Sequence, residues 1–251
     1  MRVKQIDKVV DLLELVARQK TPMTLTALSR ALDMPKSSTF NLIETLLARG
    51  VIYEIHARGG YYPTRRLFDL ARQTMAGDAF LQMIHGELEE LASRSAETVL
   101  LAVRDPSRPD DVVYIDVVES PASIRYAAKV GDKRPIYTTS SGKAILTTYS
   151  PEERSRTLAS LRFEPHRKTT VTGAEDLARR LDAAQARGWC EDNAEYTPEV
   201  MGLAVPIRFG ERRFGLAVAG PLYRIRANRA KLVGLLQDAA SRIHGLGETG
   251  M

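Results

Sequence analysis

The chain has little cysteine, few aromatic residues and no long apolar run. Its 251 residues include one cysteine, Cys190, so an intrachain disulfide is excluded and a reducing, cytoplasmic setting is expected. No stretch of about eighteen apolar residues occurs, which argues against a membrane span. The N-terminus mixes acidic and basic residues and lacks the apolar core of a secretory signal. What is left is a globular protein long enough for two domains.

Residues that usually build catalytic or metal sites are scattered along the chain. The histidines are His56, His85, His166 and His244. None lies near another histidine or the cysteine at metal-ligand spacing. SSGK at 140–143 resembles part of a phosphate loop, but Ala144 follows where that motif needs serine or threonine. No G-x-S-x-G motif is present. We therefore predict no enzyme activity, no catalytic residue, no metal site and no cofactor.

Residues 24–50 have the pattern of two short amphipathic helices with a tight break between them. Thr24 suits the N-cap of the first helix, and Pro35 suits only the start of the second because it has no backbone N–H. The second helix is expected to bury Phe40, Ile43, Leu46 and Leu47. Its exposed face is expected to carry Lys36, Ser37, Ser38, Thr39 and Asn41. This chemistry is typical of a DNA-recognition helix, the alternative being a solvated helical hairpin in an ordinary bundle.

The flanking segments extend this pair to a winged helix-turn-helix. Residues 3–19 carry an apolar stripe at helical spacing, which predicts a preceding helix. Residues 51–64 alternate apolar and polar side chains around two glycines, which predicts a β-hairpin. Arg58 lies at the hairpin tip, where it either reaches a minor groove or a phosphate, or is a solvated turn residue.

The excess positive charge lies entirely in the N-terminal part. Residues 1–75 contain twelve Lys and Arg against seven Asp and Glu, a net charge of +5 that equals the charge of the whole chain. The rest of the chain is therefore neutral. Binding to phosphates requires this distribution, and the modest size of the excess favours more than one copy of the domain on DNA.

The pattern after residue 77 mixes strands and helices and predicts an α+β domain. We predict a winged helix-turn-helix domain at 1–63, a linker helix at 64–77 and an effector-binding domain at 78–251. Strand patterns occupy 97–105, 110–120, 122–130, 200–209 and 213–221. Small polar residues at 138–143 run into a helix start, where free backbone N–H groups can hold a carboxylate; alternatively, they only cap the helix.

Several segments together resemble the IclR family of bacterial transcription regulators, over nearly the whole chain. They are MPKSSTFNLIETLLARGVI, GYYPTRRLFDLA, VGDKRPIYTTSSGKAIL, ARGWCEDNAEYTPEVMGLAVPI and GLAVAGPLYRI. Their order and spacing make the resemblance specific. It implies a winged helix-turn-helix joined by a linker helix to an effector domain with a curved antiparallel sheet flanked by helices. It also implies dimers, often paired into tetramers, on palindromic operators.

The resemblance further implies an effector cleft built from separate segments. The candidate effector-binding residues are Tyr126, Arg134, Ser140, Ser141, Gly142, Asp192, Met201, Leu203 and Ala217. Members that bind small oxo-acids often carry hydroxyl or thiol groups where this chain has Gly202, Ala217 and Ala219. We therefore expect a wider, more apolar pocket that suits an aromatic or bulkier acid. Arg134 is either a pocket cation or a surface residue after a turn.

One departure from the family falls in the recognition helix. Members often have arginine where this chain has Asn41, and asparagine pairs with adenine whereas arginine pairs with guanine. The sequence thus predicts a cytoplasmic, ligand-responsive regulator of a catabolic pathway, either repressor or activator. Its partners would be palindromic double-stranded DNA, a small organic acid, and further copies of itself in a homodimer or dimer of dimers. The alternative is a small-molecule-binding module or enzyme with an accessory helical domain.

Overall fold

The computed structural model of the chain describes residues 4–56, 59–76 and 79–249. The chain divides into two compact units, Met1–Ala79 and Phe80–Met251. In the described ranges, no helix combines the length and the apolar composition that crossing a membrane requires.

The N-terminal unit is a winged helix-turn-helix followed by one further helix. Its elements are α1 Lys4–Gln19, α2 Leu25–Ala31, α3 Lys36–Ala48, β1 Ile52–Glu54, β2 Tyr61–Pro63 and α4 Arg66–Ala76. Thr24 caps α2 as predicted, because its side-chain oxygen accepts a hydrogen bond from the Ala27 N–H at 3.3 Å. The wing consists of β1 paired antiparallel with β2, and a bridge between Met23 and Tyr61 joins it to the turn before α2.

Apolar side chains from α1, α2, α3 and the wing form the core of this unit. Its buried members are Leu12, Val16, Leu28, Leu32, Ile43, Leu46 and Ile52. Ile6 and Val10 belong to the predicted apolar stripe of α1, but they are 61% and 48% exposed. The apolar stripe of α1 is therefore wider than the part of it that the rest of the N-terminal unit buries.

The C-terminal unit is built on one six-stranded antiparallel sheet with the order β5-β4-β3-β8-β7-β6. Its strands are β3 Thr98–Arg104, β4 Asp111–Val118, β5 Lys133–Pro135, β6 Cys190–Asn193, β7 Val200–Phe209 and β8 Arg212–Pro221. Its helices are α5 Ala79–Ser95, α6 Ser140–Thr147, α7 Pro151–Ser160, α8 Ala174–Arg187, α9 Leu222–Ala227 and α10 Arg229–Thr249. The sheet is curled into a half-barrel, which confirms the predicted α+β fold class.

Helices cover both faces of the sheet. Side chains alternate between the faces along each strand, so β7 and β8 contribute to two separate cores. One core lies between the sheet and the helices α6, α7 and α8, and the other lies between the sheet and α5 and α10. The helix α6 lies against the middle strands β3, β7 and β8 as well as β6.

The strand prediction for residues 122–130 was wrong. This segment is irregular, although it is tied to the sheet by a 2.7 Å hydrogen bond from the Thr98 hydroxyl to the Tyr126 carbonyl. Conversely, the edge strands β5 and β6 were not predicted. Both are three or four residues long and largely polar, so neither has the apolar alternation that identifies a strand from sequence.

Candidate DNA-binding surface and effector site

The exposed face of α3 carries the polar residues that a DNA contact needs. Lys36, Ser37, Ser38 and Asn41 are all exposed. The helix begins at Lys36, directly after Pro35, so its N-terminal N–H groups and this cation lie at the same end. Such an end attracts phosphate because the helix dipole and the lysine both favour negative charge.

Two expectations for α3 were wrong. Thr39, assigned to the exposed face, is fully buried beside Ile43 and donates a hydrogen bond from its hydroxyl to the Pro35 carbonyl at 3.1 Å. Phe40, expected in the core, is 44% exposed. It lies three residues after Ser37, so it shares the exposed face with that residue. Arg58, the predicted wing-tip contact, lies outside the described residues.

The C-terminal unit contains a narrow cavity where the start of α6 meets the sheet. Its volume is about 20 Å³, enough for roughly one water molecule. The predicted residues that line it are Tyr126, Arg134, Ser140, Ser141 and Asp192. It is also lined by Gly202 and Ala219, which the resemblance had placed at pocket positions. The lining residues that were not predicted are Leu100, Tyr114, Thr139, Tyr196, Thr197 and Val200.

The α6 N-terminus is packed tightly against the backbone around it. Thr139 caps the helix by accepting a 3.0 Å hydrogen bond from the Gly142 N–H. A Cβ atom at Gly142 would lie only 2.1 Å from the Ile136 carbonyl oxygen, so glycine is needed for this approach. Gly142 thus positions the helix rather than lining the cavity.

The predicted widening of the pocket is wrong. A Cβ atom at Gly202 would lie 2.6 Å from the Ser140 Oγ, which shows that Ser140 fills the space that this glycine leaves. The lining is also more polar than expected, because three phenols, a guanidinium and a carboxylate face the cavity. A ligand larger than water therefore requires side chains in this wall to move.

Arg134 lies in the cavity wall rather than in a purely surface turn. Its guanidinium is 6.0 Å from the centre of the Tyr114 ring and 5.5 Å from that of Tyr196. It donates hydrogen bonds to the Lys133 carbonyl at 2.7 Å and to Asp132 at 3.4 Å. Its Nε is buried and has no hydrogen-bond partner among the described residues. This N–H is a donor next to the cavity.

A buried ion pair lies beside the cavity. Lys143 on α6 and Glu195 after β6 are 4% and 2% exposed at their side chains, with Nζ and Oε1 2.5 Å apart. Lys143 also donates to the Glu191 carbonyl at 3.0 Å. Nearby, Asp192 accepts the Glu195 N–H at 2.8 Å. Burial raises the pKa of Asp192 to about 7, because Lys143 and the Glu195 N–H only partly offset the loss of solvation.

Besides Gly142, three predicted effector contacts are not brought to the cavity. Met201 and Leu203 face α5 and α10, because side chains alternate along β7 and it is Gly202 that faces α6. Ala217 is buried in the core on the α6 side, and Ala219, two residues later on β8, lines the cavity. Because side chains alternate along a strand, the sequence could have placed Met201 and Leu203 on the face opposite to Gly202.

The described residues form neither of two other kinds of site, a metal centre or a reactive thiol. Across these ranges, no group of three His, Cys, Asp or Glu side chains is placed to hold a metal ion. Cys190 is a buried free thiol, and burial raises its pKa to about 12, which makes it a poor nucleophile.

Two family models match the chain, one in each unit. Residues 5–55 match the IclR helix-turn-helix domain, and residues 75–244 match the C-terminal domain of the bacterial transcriptional regulator IclR. The chain belongs to the IclR family. As an IclR-family protein it is a transcriptional regulator with a DNA-binding helix-turn-helix and a C-terminal effector domain.

Individual relatives agree with this assignment along nearly the whole length. The HTH-type transcriptional regulator KdgR of Escherichia coli (strain K12) is 27% identical over 244 residues, which cover 96% of this IclR-family chain and 91% of KdgR. The crystal structure of an IclR transcriptional regulator from Alicyclobacillus acidocaldarius has a TM-score of 0.81 at 21% identity, covering 98% of this chain and 100% of that one.

A second structural neighbour was solved with a small molecule. It is an IclR homolog from Microbacterium hydrocarbonoxydans complexed with 4-hydroxybenzoate. Its TM-score is 0.73 at 24% identity, and the match covers 94% of this chain and 99% of that one.

Proposed function

We propose that this IclR-family chain regulates a catabolic pathway by binding a palindromic operator, with an affinity that a small aromatic acid modulates. The observation that carries the effector proposal is the cavity in which the α6 N-terminus faces Arg134 and three tyrosines. We further propose that 1–63 is the DNA-binding domain, 64–77 the linker helix and 78–251 the effector-binding domain. The division of the structure at Ala79 and Phe80 supports the last boundary.

On the DNA side, α3 is the recognition helix. Lys36 contacts phosphate, while Ser37, Ser38 and Asn41 reach base edges or phosphates from the same exposed face. Asn41 pairs with adenine in this proposal. Phe40 is added to the set, because an exposed aromatic ring on this helix can pack on a thymine methyl group. Arg58 remains a predicted contact from the wing.

Fluorescence anisotropy on the DNA upstream of the chain's own gene tests this assignment. Asn41→Ala should weaken operator binding by about 1–3 kcal/mol and leave non-specific DNA binding unchanged. Lys36→Ala should weaken binding to all sequences and reduce the salt slope by about one unit. Lys231→Ala, an exposed lysine on α10, is the matched control and should change neither quantity. Full operator affinity in both α3 variants would refute the recognition helix.

On the effector side, the cavity offers complementary chemistry for an aromatic carboxylate. The backbone N–H groups at Ser140 and Ser141 lie at a helix N-terminus, which favours an anion. The tyrosine rings would pack on an aromatic body, and the buried Arg134 Nε supplies a further donor. The neighbour complexed with 4-hydroxybenzoate supports the same ligand class.

Because the cavity has room for about one water, binding must move part of its wall. A ligand can shift a conformational equilibrium only through contacts that differ between the two states. Tyr196 and Arg134 pack against each other in the wall, so a ring between them would displace at least one of these side chains. This displacement is the proposed origin of the effector response.

Calorimetry of the full chain with 4-hydroxybenzoate and with pyruvate tests the ligand class. We expect the aromatic acid to bind more tightly, and Arg134→Gln to weaken its binding by about tenfold or more because a charge-assisted hydrogen bond is lost. Arg125→Gln, which removes an exposed partner of Glu119, is the control and should leave binding unchanged. Preferential binding of pyruvate would exclude the aromatic class, and binding of neither acid would count against the organic-acid effector.

A further inference from the structure

Asp192 lies where an effector carboxylate would approach the start of α6. It pairs in register with Gly202 across β6 and β7. A Cβ atom at Gly202 would lie 2.6 Å from the Ser140 Oγ and 3.8 Å from the Asp192 Oδ2. The two oxygens thus share the small space above this glycine. An acid that binds the N–H groups of Ser140 and Ser141 would bring a second carboxylate close to that of Asp192.

Charged and titratable groups face Asp192 from several elements, but no cation among the described residues donates a hydrogen bond to its carboxylate. From α6, Lys143 is already paired with Glu195. From β5, Arg134 is paired with Asp132.

The remaining groups that face Asp192 are three phenols and a carboxyl group. Tyr114 on β4, Tyr126 in the segment before β5 and Tyr196 after β6 lie in the same cavity wall, and Glu195 is itself an acid. The Asp192 carboxyl receives one hydrogen bond from within the described residues, the one from the Glu195 N–H at 2.8 Å. These surroundings stabilise the charged form of Asp192 poorly.

We propose that Asp192 is a neutral carboxylic acid in the effector complex and donates a hydrogen bond to the carboxylate of the effector. Two carboxylates that share one site cannot both stay ionised at little cost, whereas a protonated carboxyl is a donor. Binding of a monoanionic acid therefore takes up one proton from solution when Asp192 is ionised beforehand. Asp192 acts in this way as a specificity residue: it favours a ligand that presents an acceptor and disfavours one that presents an ammonium group. This inference rests on the proposed organic-acid effector.

The protonation state of Asp192 can be measured without any ligand. Carboxyl-carbon NMR of the full chain, with the Asp192 signal assigned by its loss in Asp192→Asn, follows the titration directly. We expect Asp192 to hold its proton far above the usual range, with its midpoint close to neutral pH. A midpoint near pH 4 would overturn the donor role whatever the effector is.

The ligand role is tested by calorimetry with benzoate, whose single carboxylate stays ionised across the range from pH 6 to pH 8.5. Titrations in two buffers of different ionisation enthalpy give the number of protons taken up. We expect close to one proton at pH 8, and an affinity that falls by up to about tenfold per pH unit above neutral pH. The Asp192→Asn variant keeps a donor that cannot ionise, so it should bind benzoate at pH 8 at least as tightly as the native chain, without the pH dependence.

Asp238→Asn, on an exposed acid of α10, is the matched control and should keep the native pH profile. Weaker binding by Asp192→Asn at every pH, or an unchanged pH profile in that variant, would overturn the donor role. Failure of both benzoate and 4-hydroxybenzoate to bind the native chain and Asp192→Asn would refute the organic-acid effector itself, and the ligand role of Asp192 with it. The NMR titration separates that failure from an incorrect protonation state.

Discussion

Lys143 follows Gly142 in the helix that faces the cavity, and the sequence assigned it no role beyond an incomplete phosphate-loop motif. The structure buries it in an ion pair with Glu195, whose Oε1 also lies 3.4 Å from Arg180. Removing one member of such a pair leaves an uncompensated charge in a medium that solvates it poorly. The pair therefore ties α6 to the segment after β6, next to the effector cavity.

We predict that Lys143→Met destabilises the C-terminal unit by about 3–5 kcal/mol, because it leaves Glu195 buried without its main cation. Urea unfolding followed by circular dichroism measures this change. The double variant Lys143→Met with Glu195→Gln should recover much of the loss, since both charges are then absent. Lys231→Met, at an exposed position, is the control. A single variant as stable as the native chain would show that the pair is not maintained in solution.

The raised pKa of Asp192 predicts a pH dependence of stability. The folded chain holds this proton up to about pH 7, whereas an unfolded chain releases it near the ordinary value of 3.8. The folded state thus binds more protons between these values, and stability from this group is lost as pH rises through that interval. Relative to the native chain, Asp192→Asn should gain stability from pH 5 to about pH 7, by on the order of 1 kcal/mol per pH unit, and the gain should level off above pH 7 because neither state then holds the proton.

Urea unfolding of both chains at pH 5, 6.5 and 8 measures that difference. Asp238→Asn, on an exposed helix face, should show a constant difference from the native chain. A constant difference for Asp192→Asn as well would mean that its pKa is ordinary in the folded state.

At the level of elements, α6 is placed by two glycines that remove steric obstacles on both of its sides. Gly142 allows the helix to approach the Ile136 carbonyl, and Gly215 on β8 allows the Ser141 carbonyl to approach the sheet. A Cβ atom at either position would lie within 2.2 Å of a backbone oxygen. The position of the candidate anion site therefore depends on backbone contact between a helix and a strand that are far apart in sequence.

We predict that Gly142→Ala destabilises the C-terminal unit by at least about 1–3 kcal/mol, because backbone must shift to relieve the contact with Ile136. Thermal unfolding compares it with Gly234→Ala on α10, where a Cβ would meet nothing within 4 Å. The control should be neutral or up to about 1 kcal/mol more stable, since alanine favours helix. Equal behaviour of the two variants would contradict the close approach of α6.

At the scale of the whole molecule, apolar side chains remain uncovered within the N-terminal unit. Ile6 and Val10 are exposed on α1, and Phe68 and Leu70 are exposed on α4. We propose that a second copy of the chain covers these residues, in agreement with the modest basic excess that one N-terminal unit supplies. Two copies would double the number of phosphate contacts and match a palindromic operator.

We predict that the native chain is a dimer or a dimer of dimers, and that Val10→Asp with Phe68→Asp lowers its mass in light scattering. Operator affinity should fall with the loss of the second copy, because each copy binds one half-site. Ile124→Asp, at an exposed apolar position of the C-terminal unit, is the control for added charge. A native chain that is monomeric both free and on DNA would refute the proposal.

Local patterns in the sequence determined much of the architecture. Helical spacing and capping residues predicted α1, α2 and α3, because these interactions are made within a few residues of one another. The glycine-containing alternation predicted the wing in the same way. The order of five short segments was enough to indicate the IclR family, which the family models then confirmed.

Only the tertiary structure decided which face each side chain takes and how large the cavity is. Thr39 is buried and Phe40 exposed because α3 packs in one orientation on α1 and α2, which its own periodicity does not specify. Met201 faces α10 while Gly202 faces α6, since this choice depends on the curl and pairing of the whole sheet. The space at Gly202 is filled by Ser140 from a distant helix, so long-range packing, rather than the size of any one residue, sets the volume of the site.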